Sequence, residues 1–158
     1  MRTLDMKRTA LLLAILASLI VLGNTTAYAA SAVHTVKVGS PDIIGPGGDG
    51  NFSLTASVDA AGNVSGQWQD AFTQNQGFHI NVTCLVVVGN QAWVGGIITQ
   101  AANPAFVGLQ ARTLVVDNGP NGDTIGFTNF FPNGNAPDCS AQTPFLQTPL
   151  AQGQVIVK

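Results

Sequence analysis

In residues 51–58 every second side chain is apolar: Phe52, Leu54, Ala56 and Val58 alternate with Ser53, Thr55 and Ser57. A helix repeats every 3.6 residues and would scatter that set around its surface. A strand repeats every two and puts it on one face, so the segment reads as a half-buried β-strand. The pattern recurs along the chain. Val64, Gly66, Trp68 and Phe72 share one parity against Ser65, Gln67 and Gln69. Phe78, Ile80, Val82, Cys84, Val86 and Val88 share another, opposed by His79, Asn81 and Thr83. Turn-forming residues punctuate these runs at 59–62, at Gly89-Asn90 and at 117–123. Residues 91–99, 107–117 and 124–131 supply further strands, and short ones fall at 33–38 and 154–158. The expectation is an all-β fold of about eight antiparallel strands in meander order, because short links cannot make parallel crossovers. A small barrel is favoured over a two-sheet sandwich, since pairing of the terminal strands would remove exposed edges.

The first thirty residues stand apart. Arg2, Lys7 and Arg8 precede a thirteen-residue apolar run at 10–22, and Ala27-Tyr28-Ala29 has the small-x-small pattern of a signal-peptidase site. The run is shorter than the ~20 residues needed to span a bilayer. Residues 1–29 are therefore expected to be a cleaved signal peptide, leaving 30–158 as a single domain with no transmembrane segment, secreted or periplasmic and monomeric. Cys84 and Cys139, the only cysteines, are then expected to form one disulfide. Free thiols or a metal pair are the weaker alternatives, since no C-x-x-C is present and neither histidine adjoins a cysteine. The bridge would pin the proline-rich stretch 132–149, the one long irregular segment.

Charge is scarce. Only 9% of residues are charged, against about 25% in an average soluble domain. Every acid is aspartate. Beyond the leader the basic residues are Lys37, Arg112 and Lys158 against seven aspartates, which excludes a cationic nucleic-acid groove. The surface must be polar through amides and hydroxyls.

Candidate chemistry is correspondingly thin. His34 and His79 have no acidic neighbour at metal-ligand spacing, and no G-x-S-x-G elbow occurs. Residues 45–50 read as a glycine-rich linker without the lysine of a phosphate loop. In the segment 117–123, Asp117, Asn121 and Asp123 partly match the spacing of a calcium loop, but Gly119 fills a ligand position and no bidentate glutamate follows. A strand-connecting turn is the preferred reading, with calcium as the alternative and no other cofactor expected. Trp68, Trp93 and Phe131 are the candidate ligand-stacking aromatics, weighed against simple core packing. Gly95 stands on the face of Trp93 and would leave room over its ring.

The segment Cys84-Leu85-Val86-Val87-Val88-Gly89-Asn90-Gln91-Ala92-Trp93-Val94-Gly95-Gly96, followed by Val115-Val116-Asp117-Asn118-Gly119, resembles a family of small exported bacterial proteins. Members share a C-L-x-V-x-G-N-x-A-x-x-G-G hairpin and a V-x-D-N-G turn, with an F-S-x-x-A strand before and a G-x-I-x-V strand at the end. Phe52 to Ala56 fit the first of these, and Gly153 to Val157 resemble the second with Val155 in place of its isoleucine. The resemblance implies an exported all-β domain and no activity. Pro120 stands where members often carry glutamate. Two functions are then open: a non-enzymatic domain acting through its surface, in binding or envelope structure, or a barrel holding an apolar small molecule in an internal pocket.

Overall fold

The computed structural model describes residues 32–41, 51–72, 76–126, 128–132 and 137–158. The expected signal peptide, the 45–50 linker and Phe127 lie outside the described residues. Ten strands form one antiparallel sheet: β1 (Ala32–Pro41), β2 (Asn51–Asp59), β3 (Val64–Phe72), β4 (Gln76–Val88), β5 (Gln91–Ala101), β6 (Gln110–Val116), β7 (Thr124–Gly126), β8 (Asn129–Phe131), β9 (Gln147–Pro149) and β10 (Gln154–Val157). Their order is β10-β1-β2-β3-β4-β5-β6-β7-β9, with β8 also paired to β6, and the sheet curls into a half-barrel.

The eight segments expected from the alternation are all present. The count rises to ten because the run 124–131 is broken into β7 and β8, both on β6, and because β9 forms inside the stretch expected to be irregular. Near that break Thr113 turns its fully buried hydroxyl onto the Gly126 carbonyl at 2.9 Å. The first hairpin turn is held by Asp59, whose Oδ1 accepts the Ala61 and Asn63 N–H groups and whose Oδ2 accepts the Asn63 side-chain amide. Gly62 supplies the positive φ of 85° that this turn requires.

The Asn63 side chain, then its backbone N–H, hold the Asp59 carboxyl below its ordinary range. A lowered folded-state pKa means that the stabilisation is complete above the ordinary carboxylate range and is lost as pH falls through the lowered value. The melting-temperature gap between the parent protein and Asp59→Ala is therefore expected to be widest near neutrality and to narrow below about pH 4. A gap independent of pH in thermal melts would remove the charge from this account.

One face of the sheet closes on a core of Trp68, Leu54, Ile80, Ile98, Val36, Val94, Val115 and Val155, each under 2% exposed. Phe52 packs on Trp68 with ring centroids 5.6 Å apart. The expectation that Phe78 through Val88 keep a single parity is corrected at Thr83. There the pairing steps from Val82 opposite Gly96 to Cys84 opposite Gly95, an extra residue on β4. A bulge of this kind exchanges the two faces beyond it. Leu85 and Val87 then join the main core, while Cys84 and Val86 turn to the opposite side.

On that opposite side a second, smaller core of Trp93, Leu114, Val116 and Cys139, with Cys84, Val86 and Phe145 against it, packs together. The Cys84–Cys139 disulfide is present, with Cα atoms 5.9 Å apart, and ties the proline-rich segment over β5 and β6.

The two ends of the sheet meet through side chains. β10 pairs with β1 on one side, which leaves alternate N–H groups of an edge strand facing away. Those of Val155 and Val157 donate to Asp123 Oδ2 at 2.6 Å and Asp117 Oδ2 at 3.1 Å. The turn between β6 and β7 thus takes the place of a neighbouring strand along β10.

Candidate functional site

A groove among the described residues grows out of strand register. On β2, β3, β4 and β5 the side chains directed away from the main core lie in cross-strand rows, because paired residues share a face. Ser53 pairs with Gln69, Gln69 with His79 and His79 with Gln100, giving one row across four strands. Thr55, Gln67 and Asn81 form the adjacent row. All seven are exposed. Together with Thr99 they line a groove of about 660 Å³, floored by Gly66, Trp68 and Ile80.

Gly66 permits close approach in the floor. A Cβ there would meet the Thr55 carbonyl oxygen and the Ala56 Cα of the neighbouring strand at 2.3 and 2.7 Å. The exposed side chains of the groove end in amides or hydroxyls except for His79, its one titratable residue. Thr99 Oγ1 donates to the His79 carbonyl at 3.1 Å. The Gln67, Gln69, Asn81 and Gln100 amides make no side-chain hydrogen bond among the described residues, so their donors and acceptors stand free on the groove wall.

The three candidate aromatics do not converge. Trp68 is 1% exposed and belongs to the main core beneath the groove, and its Nε1 has no hydrogen-bond partner among the described residues. Trp93 lies in the second core, where its Nε1 donates to the Thr143 carbonyl at 2.9 Å. The space that Gly95 leaves is filled: a Cβ there would come within 2.7 Å of both Cys84 Sγ and Pro137 Cβ. The glycine makes way for the disulfide and its loop rather than for a ligand. Phe131 carries the Arg112 guanidinium 4.2 Å above its ring, and the same guanidinium donates to the Asp138 carbonyl at 2.9 Å. Asp138 is itself held below the usual carboxylate range by the Ser140 hydroxyl and N–H, with Arg112 adding to the effect.

Asp117, Asn121 and Asp123 do lie in one turn, but the two carboxylates are engaged with backbone. Besides the bonds to β10, Asp123 Oδ1 accepts the Asn118 N–H at 2.9 Å and Asp117 Oδ1 the Gly119 N–H at 3.2 Å. Each of the four oxygens holds one amide, while Asn121 is exposed at the tip. Among the described residues no group of three or more His, Cys, Asp or Glu side chains could jointly hold a metal ion.

Strand parity in the sequence puts Gly66, Asp70, Gly95, Ala111 and Asn129 among the small or polar inward positions that could surround an internal ligand. Ala111 is fully buried in the main core, Gly95 faces the disulfide, and Asn129 is exposed. Asp70 is buried and accepts a bond from the Thr128 hydroxyl at 3.0 Å.

On β2, β3 and β4 the groove residues were readable one strand at a time as outward polar positions, whereas Gln100 lies one residue beyond the strand expected at 91–99. What the alternation lacked was register, which alone says that Gln67 neighbours Asn81 and Gln69 neighbours His79. Comparison with protein-family models, with curated proteins and with solved structures gives no match for this chain.

Proposed function

We propose that this chain is an exported, non-enzymatic β domain that acts by binding through the uncharged groove across β2 to β5. The carrying observation is the row structure of that groove: free carboxamides and hydroxyls on four mutually paired strands, a rigid support for recognition. The composition of the lining favours binding over catalysis, because general acid–base or nucleophilic chemistry needs a second reactive group beside His79 and its row neighbours are Gln69 and Gln100. An extracytoplasmic location fits the disulfide, and among the described residues no helix is long and apolar enough to cross a membrane. A monomer fits the side-chain closure of β10, which leaves Val155 and Val157 no amide to offer a second chain.

The test is co-sedimentation of the oxidised protein with envelope material of the cells that make it. Gln67→Arg combined with Asn81→Arg fills the groove from two adjacent strands without touching either core. Retention is expected to fall about tenfold or more, equivalent to at least ~1.4 kcal/mol of binding, with the melting temperature unchanged. Equal retention of parent and variant would place binding elsewhere or nowhere.

A further inference from the structure

We infer that the ligand of the β2–β5 groove is a neutral polyhydroxylated chain, an oligosaccharide without charged groups, and this inference rests on the binding role proposed for the groove. A carboxamide presents two donors and one acceptor oxygen, and a hydroxyl presents one donor and two lone pairs. Sugar hydroxyls need both kinds of partner at short intervals, and both rows supply them: Ser53, Gln69, His79 and Gln100 in one, Thr55, Gln67 and Asn81 in the next. Neighbouring strands stand about 4.8 Å apart and successive outward residues about 7 Å apart, so the polar groups form a two-dimensional grid rather than a single point. The amides are not spent internally, since Gln67, Gln69, Asn81 and Gln100 have no side-chain hydrogen bond among the described residues. A volume of about 660 Å³ is of the size that holds a small ligand.

The same lining disfavours the other ligand classes. No lysine or arginine lines the groove to bind an anion, and no carboxylate lines it to bind a cation. Its large apolar members, Trp68 and Ile80, are 1% and 2% exposed, so its apolar surface is that of threonine methyls and glutamine methylenes rather than a hydrophobic wall. An extended peptide gains its affinity by adding to a free sheet edge, whereas this groove lies on the face of four strands already paired on both sides. Recognition without an exposed aromatic platform must rely on hydrogen bonds, and each long amide loses rotamer freedom when it engages. Binding is therefore expected to be weak and independent of salt.

The test is a titration of the secreted, oxidised, 15N-labelled protein with cellohexaose, maltohexaose and chitohexaose in turn, following the side-chain amide signals of Gln67, Gln69, Asn81 and Gln100. At least one sugar is expected to shift these signals saturably. The shift should persist in about 0.5 M NaCl, where exposed charges are screened within a few ångströms. Gln67→Ala combined with Asn81→Ala should weaken it about tenfold or more without a change in melting temperature. Absence of saturable shifts with all three sugars, or equal binding by the alanine variant, would overturn the inference. If the sugars fail while the arginine variant still loses envelope binding, the groove keeps its role and only the ligand class falls. If both fail, the binding role falls with it.

Discussion

Replacing Cys84 and Cys139 together by serine is expected to lower the free energy of unfolding by about 4 kcal/mol. The two cysteines are 55 residues apart, and the chain-entropy cost of leaving a loop of that length unclosed is about 4 kcal/mol. The bridge also acts in the folded state. It joins the Trp93–Thr143 and Arg112–Asp138 hydrogen bonds and the pairing of β9 with β7 in holding the segment that carries Pro137, Cys139 and Phe145 over Trp93 and Leu114. Without the bridge the Trp93 indole is expected to part from the Thr143 carbonyl and meet water. Denaturant titration of the double-serine variant, followed by tryptophan fluorescence, reads both effects: a lower midpoint and a red-shifted native spectrum. A loss below about 1 kcal/mol would mean that the loop is held by its packing alone.

The second large effect is expected at Asp123. It is 8% exposed, and its two oxygens hold the Val155 and Asn118 amides. Asp123→Ala leaves both donors without their acceptor. Hydrogen bonds to a charged group contribute about 1.5–3 kcal/mol each, and a buried donor left alone carries its own desolvation penalty. A loss of about 2–4 kcal/mol follows, since water can reach the opened seam and recover part of it. Hydrogen exchange gives the sharper reading. The Val155 amide should lose protection by a large factor, while the amides of β3 and β4, in the middle of the strand order, keep theirs. Asp123→Asn retains one acceptor oxygen and should fall between the two. Unchanged protection at Val155 would show that β10 is held by β1 alone. Asp117→Ala should cost less, because its bonds to Val157 and Gly119 are longer, at 3.1 and 3.2 Å, and the residue is half-buried.

These two aspartates show how far a sequence reading reaches. Their spacing, with Asn121 between them, fits part of a cation loop, and the same residues also fit a turn. Nothing local distinguishes a carboxylate waiting for a metal from one holding a distant backbone amide. The partners of Asp123 and Asp117 lie 32 and 40 residues further along. Trp93 teaches the same lesson. Gly95 beside it does mark a place where something comes close, but the occupant is the protein's own disulfide and Pro137. The alternation in β2 and β3 was legible because it is a property of neighbouring residues and of the two-residue repeat of a strand. It failed at Thr83, where one inserted residue exchanged the faces of everything beyond it in β4.

By itself the sequence determined the all-β class, the meander of consecutive strands, the cysteine pair and a surface that is polar without being charged. Each of these follows from side-chain period, turn chemistry or composition, which act over a few residues or over none. Only the tertiary structure decided how the sheet ends are joined, which face of β4 carries Cys84, and that the outward amides of four strands stand in register as one groove. Those are relations between residues far apart in the chain, set when burial of the apolar face chooses one register over the next. The function proposed for this protein rests on the second kind of fact: glutamines and asparagines common in any polar strand acquire meaning only through what stands beside them.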